Sequence, residues 1–175
     1  NTGALLVLSR LILNMIDGIE KPALAGLWPN KNGMNLVLDL GANIECTEKS
    51  LIDFSYMGAA LYKALYPEID PKIGLLNVGS EEIKGHEIIK KAYQELKKIK
   101  KNNFKFHGYV EGNHIMSGDA NVIVTDGFTG NIALKTAEGT ASFITQTLKE
   151  SLTSSIFNKI STFFTLCRNC KGGKL

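Results

Sequence analysis

The stretch VIVTDGFTGNIALKTAEG, residues 122–139, decides the fold. It opens on a short β-branched apolar run, passes through Asp126, Gly127, Phe128, Thr129, Gly130 and Asn131, and enters a helical pattern at Asn131. A buried strand that ends on a carboxylate and two glycines, with Lys135 one turn inside the next helix, reads as a strand–loop–helix unit of a parallel α/β sheet. Working outward, strands are expected over 104–110, 72–78, 34–40 and 22–28. Helices are expected over 131–152, 81–101, 49–66 (stopped by Pro67) and 3–16. The strands are mostly continuous apolar runs, which suits a parallel sheet covered on both faces. The expected class is α/β, a Rossmann-like three-layer α/β/α fold with a mostly parallel sheet. Its catalytic domain, itself partial, would span 1–147, with an amphipathic helical segment over 148–168 and a loose tail over 169–175.

Composition narrows the function classes. The chain has 175 residues, 44% of them hydrophobic, enough for one domain with a real core. A net charge of +3 is too small to argue for nucleic acid. The charge is uneven: from Lys149 to the end five cations face Glu150 alone, so the rest of the chain is slightly acidic. Three cysteines, Cys46, Cys167 and Cys170, suggest a reducing compartment rather than a disulfide scaffold. The Cys167–Cys170 pair has no partner pair, and His86, His107 and His114 are scattered, so no metal is expected. There is no G-x-S-x-G elbow and no cysteine in an expected glycine-rich site loop, so a covalent nucleophile lacks support. Arg10 interrupts the apolar run near the start, and no run of about 18 apolar residues exists to span a membrane. A chain that opens on Asn1 and closes on Lys-Gly-Gly-Lys-Leu reads as part of a longer protein. Leu148, Leu152, Ile156, Ile160, Phe163 and Phe164 follow helical spacing; this stripe is either a core-packing helix or a surface segment that meets anionic lipid or a partner.

Ligands of a parallel sheet bind at the carboxyl ends of its strands. Four junctions carry unusual polar content: Asp39, Gly41 and Asn43 in LDLGAN; Asn77, Gly79, Lys84 and Gly85 in LLNVGSEEIKG; Asp126, Gly127, Thr129, Gly130 and Asn131 in DGFTGN; and Asn1, Thr2 and Gly3 at a helix start. Glycines let backbone amides approach a ligand, and helix starts offer N–H groups and a positive dipole end. Thr129 or Asn131 would cap the last long helix, and Lys135 would reach an anion near its start. Together these loops read as an anion site, most naturally for phosphate. The spacing fits neither a P-loop nor a dinucleotide fingerprint.

NTGAL, LDLGAN, LLNVGSEEIKG, YVEGN and DGFTGNIALKTAEG occur in an order and spacing that resemble the PlsX family of bacterial phosphate acyltransferases. The resemblance runs from Asn1 to about Lys159 and covers the middle part of such a protein. It departs at His86 and His114, where other residues are usual. It implies a fold like that of phosphotransacetylases and isocitrate-type dehydrogenases. The implied reaction moves an acyl group from acyl-[acyl carrier protein] to inorganic phosphate, for phospholipid synthesis, without a cofactor. It implies catalytic roles for Lys84, Asp126, Asn131 and Lys135. Asn1, Thr2, Gly3, Asp39, Gly41, Asn43, Gly127, Thr129 and Gly130 would bind phosphate or substrate. It also implies a homodimer in the cytoplasm, with peripheral contact to anionic lipid on the inner face of the cell membrane. Competing readings are a phosphotransacylase acting on acyl-CoA, a non-catalytic membrane-associated scaffold for lipid-synthesis enzymes, and a nucleotide-binding α/β domain.

Overall fold

The computed structural model of the chain describes residues 2–13, 15–99 and 104–153. Its elements run α1 (Thr2–Ile12), β1 (Ala25–Asn30), β2 (Gly33–Leu38), α2 (Glu48–Leu65), β3 (Lys72–Asn77), α3 (Glu87–Lys98), β4 (Lys105–Glu111), a 3-10 turn (Gly112–His114), β5 (Val122–Val124) and α4 (Gly127–Thr153). The sheet order is β1-β2-β5-β3-β4. Strands β2, β5, β3 and β4 run parallel to one another, so their carboxyl ends share one edge. The expected α/β class with a mostly parallel sheet is what the structure shows.

The first two strands depart from the parallel pattern. β1 pairs antiparallel with β2, Ala25 opposite Leu38, through a tight connection at Lys31 and Asn32. Two short apolar runs so close in sequence can only form a hairpin, because a parallel crossover needs a dozen or more residues.

Side-chain alternation assigns the two faces. Leu36, Leu38, Ile73, Leu75, Val122 and Val124 meet α2 and α3 in the main core. From α2, Leu51, Phe54, Gly58, Ala59 and Tyr62 recur at helical spacing and are buried. α2 starts on a capping box, Thr47 and Ser50 bonding each other's backbone N–H, and stops at Tyr66 before Pro67. On the opposite face, Asn35, Val37 and Ile123 are fully buried. The connection 112–121 folds back there: the Asn35 amide donates to the Ile115 carbonyl, and Ala120 lies against Gly74.

The chain divides into two compact units, Asn1–Leu134 and Lys135–Leu175. Among the described residues of the second, 135–153 continue α4 with Phe143, Ile144, Leu148 and Leu152 exposed. The rest of the expected 148–168 stripe, and Cys167 and Cys170, lie outside the described residues. Among the described residues no helix is long and apolar enough to cross a membrane.

Candidate functional site

The loop after β2 is built around one carboxylate. Asp39 is fully buried. Its Oδ1 accepts from the backbone N–H of Leu24, Gly41 and Ala42 at 3.0, 3.1 and 2.9 Å. Its Oδ2 accepts from the Asn43 backbone N–H and side-chain amide, both at 2.8 Å. Five donors satisfy a buried charge that would otherwise be costly. Asp39 therefore faces its own loop and fixes the path of residues 39–43.

α4 is docked onto that loop. Gly127 N–H donates to the Asn43 carbonyl at 2.8 Å. A Cβ on Gly127 would stand 2.5 Å from the Asn43 oxygen, and one on Gly130 would overlap the Asp39 carbonyl. The two glycines of DGFTGN are thus places where a helix meets backbone with no room for a side chain. This close docking lays Asn131 against Gly41, whose φ is +127°.

The structure corrects the expected cap. α4 begins at Gly127, four residues before the expected Asn131, and Asp126 caps it. The Asp126 carboxylate accepts from the Thr129 N–H and from the Thr129 hydroxyl, both at 2.8 Å. Gly130 N–H donates to the Asp126 carbonyl at 2.9 Å. The N–H groups of Gly127, Thr129 and Gly130 are therefore already taken and are not offered to an anion at this helix start.

The loop after β3 carries Lys84. The helix expected over 81–101 is shorter: α3 starts at Glu87, after a loop over 78–86. Asn77 holds that loop, its amide nitrogen donating to the Gly79 and Lys84 carbonyls, each at 3.1 Å. Gly85 adopts φ +94°, and a Cβ there would fall on the Asn77 Oδ1. Lys84 Nζ pairs with Glu81 at 2.9 Å, both half exposed. Hydrogen bonding to Glu81 pushes the Lys84 ammonium pKa up and, reciprocally, holds the Glu81 carboxyl below its usual range. Lys135 opens the second unit and pairs there with Glu138 at 2.8 Å.

Two cavities open at this edge. One, of about 390 Å3, touches Cys46, Lys21, Glu45 and Asp126. The other, of about 550 Å3, lies among the ends of β3 and β4, the start of α3 and the first turns of α4. His86 and Ile89 line both. Sequence reasoning missed Cys46: it stands on the glycine-containing β2–α2 loop, beside Asp126, with no local motif to mark it. Burial pushes its thiol pKa up, which works against use as a nucleophile. His107 is exposed on the edge strand β4.

Of the expected site residues, the structure brings together Asp39, Gly41, Asn43, Asp126, Gly127, Thr129, Gly130 and Asn131. Lys84 stands on the neighbouring loop of the same edge. Thr2 and Gly3 begin α1, and Asn1 lies outside the described residues. Among the described residues no cluster of ligating side chains suits a metal.

Known proteins share this chain's pattern. The family model described as "Fatty acid synthesis protein" matches residues 1–172. A phosphate acyltransferase of Pelagibacter ubique is 62% identical over 166 residues, which is 95% of this chain and 50% of that protein. Those of Delftia acidovorans and Brucella canis are 48% and 45% identical, over 92% and 94% of this chain and 47% of each relative. The chain thus spans about half the length of these relatives. In fold it is similar to the EutD phosphotransacetylase from Staphylococcus aureus, with a TM-score of 0.58 at 17% identity, over 77% of this chain and 46% of that one. With a family model matched over nearly its whole length, the chain belongs to the fatty acid synthesis protein family, that of PlsX.

Proposed function

We propose that this chain forms the phosphate- and acyl-handling edge of an acyltransferase that moves a fatty acyl group from acyl-[acyl carrier protein] to inorganic phosphate, for phospholipid synthesis. The observation that carries the reading is the docking of α4 onto the 39–43 loop, which sets Asn131 against Gly41 beside the Lys84 loop. Phosphate is a competent nucleophile near neutral pH. Its oxygen forms the new bond to the thioester carbonyl carbon, the carbon–sulfur bond breaks, and the thiolate leaves with the electron pair.

The protein's contribution is to hold both reactants and to meet developing charge. Lys84 and Lys135 supply the charge. Each is paired with an exposed carboxylate. Exposed pairs contribute little, so a phosphate dianion displaces the carboxylate at little cost. Asn131 donates a hydrogen bond to phosphate or the oxyanion. Asp126 sets the helix start, and Asp39, Asn43, Gly127 and Gly130 position the loop and helix, while Gly41 leaves room beside Asn131. Thr129 and residues 1–3 complete the substrate contacts. No cofactor enters. The reading carries with it a cytoplasmic homodimer that meets anionic membrane lipid peripherally and an acidic carrier protein through its basic C-terminal end.

The test is thiol release from a long-chain acyl carrier protein by the full-length protein, with and without inorganic phosphate. Phosphate-dependent release is expected, lowered at least about tenfold in Lys84→Ala and in Lys135→Ala, the loss of one charge-stabilising contact. Full activity in either variant removes that lysine's role. Release from acyl-CoA alone would make the protein a phosphotransacylase, and release from neither would leave a scaffold.

A further inference from the structure

The larger cavity differs from its surroundings in charge. The carboxyl edge carries Glu81, Lys84, Glu111 and Asp126, yet no Asp, Glu, Lys or Arg lines this cavity, whose polar side chains are Asn77, His86 and Thr129. Its floor is Leu76 and Ile115, both almost wholly buried. Ile89 and Ala133 form its sides. Val78, 79% exposed, and Ile132, 50% exposed, stand at its rim as apolar groups awaiting cover. Polarity is graded along α4: Thr129, bonded to Asp126 at the helix start, lines the same cavity as Ile132 and Ala133, three and four residues on and hence on the same helix face. A molecule with a reacting polar head and an apolar tail has this same gradient. The smaller cavity, though lined in part by Ile44, Leu51 and Ile88, suits such a tail less, because Lys21, Glu45 and Asp126 line it too and an apolar chain would strip their water.

We infer that the uncharged cavity of about 550 Å3 receives the acyl chain of the donor, and that Ala133 and Ile132 set the chain length it admits. The inference rests on the acyl-transfer reading above. The head of the donor lies toward Thr129, and the chain runs past Ile132 and Ala133 toward Leu76 and Ile115.

The experiment is phosphate-dependent thiol release by the full-length protein from carrier protein loaded with butanoyl, decanoyl and hexadecanoyl chains. In Ala133→Phe, hexadecanoyl transfer falls at least about tenfold relative to butanoyl transfer, as the cover lost by several methylenes requires. Ile88→Phe, which narrows the smaller cavity, leaves the ratio unchanged. An unchanged ratio in Ala133→Phe, or a shift in Ile88→Phe instead, overturns the inference while transfer itself persists. Absence of phosphate-dependent release at every chain length overturns the acyl-transfer reading. The unsubstituted protein gives an independent check through photolabelling with a diazirine-bearing fatty acyl chain. Adducts on the peptides holding Ile115 and Ala133 are expected, and adducts confined to residues 44–51 would overturn the assignment even if Ala133→Phe fails to fold.

Discussion

Five N–H groups converge on the Asp39 carboxylate, and four of them come from the three residues that turn away from β2. The fifth, from Leu24, ties the chain before β1 to the same point. Removing the carboxylate leaves these donors without their shared acceptor in a partly buried loop. Asp39→Ala is expected to cost about 3 kcal/mol or more, since hydrogen bonds to a charged group contribute about 1.5–3 kcal/mol and unpaired buried donors add a penalty. A fall in the urea midpoint with unchanged slope would register it, and a loss below 1 kcal/mol would show that the loop holds without this hub. The sequence marks Asp39 as unusual, because a carboxylate rarely ends an apolar strand. It does not reveal that the acceptor turns inward, since that depends on Leu24, fifteen positions earlier, coming alongside. Asp126 is likewise visible as a polar residue before a helix, but the sequence pattern assigned its capping role to Thr129 or Asn131. The period-3.6 pattern marks where apolar contacts begin, and the first turn of α4 is instead buried through glycines, which carry no hydropathy signal.

At the scale of elements, the β3–α3 connection shows how a loop can pass for a helix. Glu81, Glu82, Ile83 and Lys84 are all good helix formers or neutral, and they continue the periodicity of α3 backwards. The chain is turned out of a helix by Gly85 at φ +94°, and the Asn77 amide satisfies carbonyls that a helix would otherwise have used. This arrangement keeps Lys84 on a loop at the carboxyl edge. Gly85→Ala meets two obstacles together, a left-handed backbone and the Asn77 oxygen in the place of the new Cβ. It is expected to destabilise by about 1–3 kcal/mol, as overpacking and strained backbone do. Amide exchange would locate the effect: residues 78–90 should lose protection while β2 and α2 keep theirs. Uniform loss across the sheet would mean that the loop is a foundation of the core rather than an appendage to it. The parallel elements were legible because their strands are apolar throughout. The hairpin of β1 and β2 was legible only in the shortness of the connection, because both strands look alike locally.

Among the described residues, Cys46, Tyr62 and Tyr109 are buried in the main core and Tyr93 packs partly buried against it, and this couples stability to alkaline pH. Burial is the largest cause of a raised pKa at Cys46, Tyr62, Tyr93 and Tyr109. Tyr109 has a buried hydroxyl with no hydrogen-bond partner, and Tyr62 bonds the Met34 carbonyl at 3.1 Å across the core. Each group is neutral when protonated and is desolvated as an anion, so the folded state holds its proton more tightly than the unfolded chain does. The sign follows from linkage: where the unfolded state has released protons that the folded state keeps, stability falls with rising pH. The contribution is fully present below the unfolded pKa values and is lost as the pH rises through the raised folded ones. The window therefore opens near the ordinary thiol value, about 8.5, and continues through the ordinary phenol value, about 10. Urea midpoints measured from neutral pH upward should stay level to that point and then decline in two stages. Cys46→Ala should remove the first stage and leave the second, because Ala carries no proton and the tyrosines are untouched. The part of the tyrosine absorbance change that belongs to Tyr62 and Tyr109 should be delayed until unfolding begins. A level midpoint through the phenol range would contradict this, and would mean that water reaches Tyr62 and Tyr109 within a core that otherwise leaves Phe54, Ile73 and Leu96 wholly buried.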